Sequence, residues 1–117
     1  MKIFTKAICA LIATATLAFA HGDAAPQKVD TKGLQEVSSD VSKNPFSGNQ
    51  KAIDVGKTAY NQNCARCHGL GAKSGGIAPD LRLLTDGDDE FFLGMVRGGV
   101  VRNGNVYMPP FEGVLNQ

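Results

Sequence analysis

Cys64 and Cys67 stand three residues apart, and His68 follows the second thiol directly. Two thiols at that spacing lie on one helical turn, where each adds across one vinyl group of a porphyrin, and the turn then carries the imidazole beneath the metal. The run Cys64-Ala65-Arg66-Cys67-His68 is the attachment signature for c-type haem. It predicts one covalent haem c, with Cys64 and Cys67 as the thioether residues and His68 as an axial ligand. A redox dithiol and half of a zinc site share the same cysteine spacing. A zinc site needs two further ligands at similar spacing, and outside the leader only His21 could supply one. A thioredoxin-like motif should follow a strand, whereas the residues ahead of Cys64 read as helix.

The second axial position decides what the iron can do, and its candidates are Met95, Met108 and His21. Met95 lies in an amphipathic helical stretch, where a methionine is more often packing than ligand. Met108 lies forty residues after His68 in the run Val106-Tyr107-Met108-Pro109-Pro110-Phe111. Residues before proline are driven out of the helical region, so this strip is extended and stiff. It can hold a thioether at a fixed distance across a haem face, and Met108 is preferred over Met95 and over an open site. At a processed N-terminus His21 would pair an amine with an imidazole, a start that chelates copper. Such a site needs a second histidine, and His68 is assigned to iron.

The elements that position these groups follow from pattern. Lys2 and Lys6, the apolar run Ala7 to Ala20 and the ending Ala18-Phe19-Ala20 read as a signal peptide over residues 1–20, with Cys9 leaving in it. Residues 21–49 show no sustained period and read as an extended arm, with Phe46 as an anchor. A helix is expected from Gln50 to Asn63, with Ile53, Gly56, Ala59 and Tyr60 along one face. A glycine-rich loop follows, through Gly69, Gly71, Gly75 and Gly76 to Pro79-Asp80-Leu81. A second helix is expected over Asp88 to Arg97, with Asp86 or Asp88 as its cap and Gly98-Gly99 as its stop. Arg102-Asn103-Gly104-Asn105 reads as a turn. The fold class expected is all-α, a small domain over residues 50–117 wrapped around one haem.

Composition excludes several classes. The chain has 12 basic and 11 acidic side chains, and loss of Lys2 and Lys6 would leave one more acid than base. Neither a nucleic-acid surface nor an anionic-membrane surface is written there. Asp86, Asp88, Asp89 and Glu90 form the dense acidic group, read as a solvated helix start. A chain this short has little room for a protein core, and a buried porphyrin would supply the missing apolar surface.

From residue 49 onward the sequence resembles the small single-haem class I cytochromes c of bacteria. The likeness is carried by Gly56-Lys57-Thr58-Ala59-Tyr60, by the Cys64 to His68 motif, by Pro79-Asp80-Leu81 and by Met108-Pro109-Pro110-Phe111. It implies His68 as proximal ligand, Met108 as distal ligand, and Pro79 as the residue whose carbonyl accepts the other ring N–H of His68. A narrower likeness, from Ala59 to Leu70, Ser74 to Arg82 and Val106 to Gly113, is to periplasmic cytochromes that accept electrons from PQQ-dependent alcohol dehydrogenases. The start His21-Gly22 and the run Asn44-Pro45-Phe46 share in it. The family ends in a helix that crosses the first one at the small Gly56, beside Tyr60. Here the sequence reaches Leu115-Asn116-Gln117 where that helix should begin, so the C-terminal helix is expected to be missing and the chain to be a fragment.

The function expected is electron transfer in the periplasm, not catalysis. A PQQ-dependent alcohol dehydrogenase is the expected donor and an oxidase or second cytochrome the expected acceptor. No nucleic-acid partner is expected, and no membrane span after signal cleavage. The alternatives are a haem enzyme or gas or redox sensor with an open or displaceable sixth ligand, and a fixed cytochrome subunit of a dehydrogenase complex.

Overall fold

The computed structural model of the chain describes residues 25–85 and 87–117. The expected signal peptide with Cys9, the His21 start and Asp86 lie outside the described residues.

Helix α1 runs Gln50–Asn63 and begins on a side-chain cap. The backbone of Asn49 is extended, and its Oδ1 accepts from the Ala52 N–H at 3.1 Å, so one of the free donors of the first turn is satisfied. At the other end the Cys64 N–H still donates to the Tyr60 carbonyl, 2.8 Å away. The chain therefore passes with little break into α2, Ala65–His68, which holds the haem-attachment motif. The Tyr60 hydroxyl donates to the Gly69 carbonyl at 2.7 Å and pins the end of α2 against α1. Gly69 has φ 83°, and a Cβ there would lie 1.8 Å from the Lys73 carbonyl oxygen, so only glycine lets the chain turn back at this point.

The loop that follows is organised by local polar contacts. Ser74 Oγ donates to the Ala78 carbonyl and accepts from the Gly76 N–H. Asp80 then caps a short 3-10 turn over Leu81–Leu83. Its Oδ1 accepts from the Arg82 backbone N–H at 3.0 Å and from Arg82 Nε at 2.9 Å, while Oδ2 accepts from the guanidinium end at 2.6 Å. This two-pronged contact holds the Asp80 carboxyl down at about 2.

Helix α3 spans Asp89–Gly98, one residue later at each end than the pattern suggests. Asp88 occupies the cap position, but its carboxylate turns back and accepts from the backbone N–H and the hydroxyl of Thr85 at 2.7 and 3.0 Å. Acids in the first turn and Arg97 in the last agree with the helix dipole. After Gly99 the chain forms a two-stranded antiparallel hairpin, β1 Val100–Arg102 and β2 Asn105–Met108. Asn103 and Gly104 both have positive φ, 49° and 77°, as a tight two-residue hairpin turn requires. The hairpin corrects the all-α expectation: the fold is mostly helical with one small sheet. Pattern alone separated the turn from the extended strip because a three-residue strand directly behind a helix shows no alternation. Val100 pairs with Met108 and Val101 with Val106, so Tyr107 is the extra residue of a bulge.

Beyond Pro109-Pro110 the chain returns to α3, where the Phe111 N–H donates to the Val96 carbonyl at 2.9 Å and the Glu112 N–H to that of Arg97 at 3.4 Å. Phe111 is the buried hydrophobic residue of the described structure, at 4% exposure. The α1 stripe stays open among the described residues: Ile53 is half exposed and a Cβ at Gly56 would meet nothing within 4 Å. Residues 25–49 contain turns but no helix or strand. They are tied at Gln27, whose backbone exchanges hydrogen bonds with the Asn63 side chain, and at Lys43, which pairs with Asp89 at 3.4 Å. Phe46 is half-buried and shares a cleft of about 220 Å³ with Phe92 and Leu93. Among the described residues no helix is long and apolar enough to cross a membrane.

Gly99 carries the tightest constraint on the strip. At φ 65° its Cβ would lie 2.4 Å from the Met108 carbonyl oxygen and 2.7 Å from the Pro110 nitrogen. Gly99→Ala is predicted to lower the stability of the haem-loaded protein by about 2–4 kcal/mol through backbone strain plus this clash. Gly94→Ala, where a Cβ meets nothing within 4 Å, is the reference and should not destabilise in a denaturant titration. For Asp80 the sign is that of a depressed acid. Its contribution is complete above the ordinary carboxylate value of 3.8 and is lost as pH falls through about 2. Carboxyl NMR should therefore show Asp80 titrating near 2, and Arg82→Ala should return it towards 3.8.

Candidate haem site

The site begins where α1 runs into α2. Because the helical path is nearly continuous from Tyr60 to His68, both cysteines sit on a backbone already fixed by hydrogen bonds: the N–H groups of Cys67 and His68 donate to the Cys64 carbonyl at 3.1 and 2.9 Å. Both thiols are free and half-buried. Burial pushes the Cys64 thiol up, and the neighbouring Cys67 adds to the effect. That is opposite to the depressed value of a thiol activated for redox exchange. Among the described residues no group of three His, Cys, Asp or Glu side chains is placed to hold a metal ion.

His68 is half-buried, and its Nδ1 lies 2.9 Å from the Pro79 carbonyl oxygen. A carbonyl only accepts, so Nδ1 carries the proton, and in the neutral ring it is Nε2 that keeps the lone pair. The hydrogen bond therefore selects the tautomer and leaves one nitrogen available to a metal. Pro79 is itself held between two local contacts, Ser74 with the Ala78 carbonyl before it and Asp80 with Arg82 after it.

Met108 stands on a different element, half-buried at the end of β2. Met95 is half-buried within α3. The structure thus brings His68 and Pro79 into contact and places Met108 separately, on a strip held by β1, by the close approach of Gly99 and by the Val96 and Arg97 carbonyls. Sequence reasoning missed two residues that position the site. Gly99 reads as a helix stop, yet it also makes room for the Met108 backbone; the pair Gly98-Gly99, where one glycine would end a helix, is the signal. The Tyr60 hydroxyl reads as part of an apolar stripe and instead fixes the end of the haem-attachment turn.

These residues fit a haem on two counts. The donor set is complete in kind: two alkylatable thiols, an imidazole with a free lone pair and a thioether on a rigid strip. The apolar balance also fits, because Leu70, Ile77 and Leu83, in the segments following His68, are each more than three-quarters exposed, and Phe91 and Val106 more than half. Apolar side chains on this scale need a large apolar partner.

Residues 51–117 match the family described as cytochrome c oxidase, cbb3-type, subunit III. The chain is 49% identical over 117 residues to cytochrome c550 of Pseudomonas aeruginosa, covering 94% of this chain and 81% of that one. It is 43% identical over 84 residues to the quinohemoprotein alcohol dehydrogenase ADH-IIG of Pseudomonas putida, covering 69% of this chain and 11% of that one. It is 33% identical over 95 residues to the cbb3-type cytochrome c oxidase subunit FixP of Rhizobium etli, covering 74% and 31% respectively. No solved structure matches the chain significantly. With the attachment motif on a helical turn and these likenesses together, the chain belongs to the class I c-type cytochromes, electron-transfer proteins with covalently bound haem c.

Proposed function

We propose that this cytochrome is a periplasmic one-electron carrier rather than an enzyme, reduced by a PQQ-dependent alcohol dehydrogenase and oxidised by a terminal oxidase or a second cytochrome. The observation that carries the reading is the 2.9 Å contact from His68 Nδ1 to the Pro79 carbonyl, which leaves Nε2 as the donor on the helical turn of the two thiols. In this reading Cys64 and Cys67 form the thioether links, His68 is the proximal ligand and Met108 the distal one. Haem c supplies the one-electron couple.

The chain's own groups then do the following. The Pro79 carbonyl orients the His68 ring and raises its donor strength through the Nδ1 proton. The Met108 thioether favours the ferrous state and raises the potential, which suits acceptance of electrons from a quinone-type cofactor. With His68 and Met108 both holding the haem iron, no coordination position would remain for a substrate, which favours a carrier over a catalyst. Likeness to segments of an alcohol dehydrogenase and of an oxidase subunit supports a place between two such partners. The leader pattern of residues 1–20 supports export.

Met108→Ala should remove the far-red thioether-to-ferric-iron absorption band and lower the potential by on the order of 100 mV or more, with carbon monoxide binding to the reduced variant. Met95→Leu should keep the band, and its loss there would reverse the ligand assignment. Mixing the oxidised, haem-loaded protein with a quinoprotein alcohol dehydrogenase and its alcohol should reduce the haem. If the dehydrogenase turns over an artificial acceptor while this haem stays ferric, the donor is wrong.

A further inference from the structure

Arg97, on the last turn of α3, reaches three separate segments. A terminal guanidinium nitrogen donates to the Ser39 carbonyl at 2.9 Å and also to Gln117 Oε1, while Nε lies 3.6 Å from Glu112 Oε2. The Arg97 backbone carbonyl accepts from the Glu112 N–H. Glu112 is thus held twice by one residue, from the backbone and from the side chain.

Three residues separate Glu112 from Met108, and two of them are Pro109 and Pro110, whose rings fix φ. A stiff segment transmits displacement at one end to the other. At the far end the same strip is pressed against Gly99. The arm joins through the turn in which the Val41 N–H donates to the Ser38 carbonyl at 3.1 Å, which presents the Ser39 carbonyl outward to Arg97. Gln117 Nε2 closes the junction on the Val41 carbonyl at 2.6 Å.

We propose that Arg97 is a positioning residue through which residues 25–49 hold the Met108 strip in place, so that the arm sets how firmly the thioether stays on the metal. This rests on the reading of Met108 as distal ligand. The Arg97–Glu112 pair alone is weak, since Glu112 is 70% exposed and the separation is long. The weight falls on the charged donor to the Ser39 carbonyl, which a planar guanidinium supplies while still facing Glu112. A lysine at 97 could meet Glu112 but not span both.

The test uses the complete haem-loaded ferric protein and imidazole as a competing ligand, following loss of the far-red band. Arg97→Ala should bind imidazole about five- to tenfold more tightly than the wild type, the amount expected for one lost solvent-exposed hydrogen bond of ordinary net strength. Arg97→Lys should behave like Arg97→Ala. Unchanged imidazole affinity in Arg97→Ala overturns the inference, even if its unfolding midpoint falls, because a merely structural role would move only the midpoint. Wild-type affinity in Arg97→Lys overturns the arm's part, since the Glu112 pair would then suffice. A wild-type protein without the far-red band overturns the Met108 reading itself, and this inference with it; a band present whose loss to imidazole is unchanged by Arg97→Ala counts against Arg97 alone.

Discussion

Among the described residues the polypeptide buries few of its apolar side chains fully against one another, and the rest of the structure depends on that constraint. Phe111 is enclosed, while Leu70, Ile77, Leu83 and Phe91 stand largely exposed among the described residues. A small chain has a thin surplus from self-burial over the entropy of ordering itself. Sharing the core with haem c adds to that surplus, and a covalent link ensures that this part of the core does not dissociate. The motif therefore belongs in a segment whose backbone is fixed locally, and α1 with α2 supplies it.

The two sides of the site are fixed in different ways. On the His68 side most holds are short in sequence, Tyr60 to Gly69, His68 to Pro79, Ser74 to Ala78 and Asp80 to Arg82, with the Gln27–Asn63 pair the longer one. The short contacts close small loops and form early. On the Met108 side the holds reach from Arg97 to Ser39 and from Gln117 to Val41, separations of 58 and 76 residues. They require most of the chain to be in place. The His68 imidazole is accordingly set by local contacts, and the strip carrying Met108, the proposed distal ligand, is held in addition by contacts that need the finished fold.

This difference also sorts what could be read from sequence. Helix α1 was legible because Ile53, Gly56, Ala59 and Tyr60 share a face, while its Asn49 cap emerged only in the structure. The attachment motif was legible because its chemistry is written in consecutive residues. The hairpin was half legible: Asn103-Gly104 announced the turn, but Val100–Arg102 is too short to show a period. Asp88 was rightly placed at the start of α3, yet its carboxylate serves Thr85 instead of the helix. Arg97 read only as the end of the second helix, since nothing in the sequence joins it to Ser39. Contacts between a side chain and a distant backbone carbonyl leave no pattern, because any residue can offer the carbonyl.

Electron transfer favours a site that changes little between ferric and ferrous iron. A ring locked through Nδ1 cannot rotate freely as the charge on its Nε2 side changes, and a strip carrying two prolines has few soft torsions through which a thioether could drift. The bulge at Tyr107 works in the same direction, since it places Met108 opposite Val100 while the outer pair Val101 and Val106 keeps its own register. An enzyme built on the same cofactor would need the opposite, a face kept open and a mobile residue beside it. Here the distal face carries a candidate ligand anchored by a glycine-sized gap, a strand pair and an arginine junction, and that geometry is suited to passing an electron without rearranging the iron's surroundings.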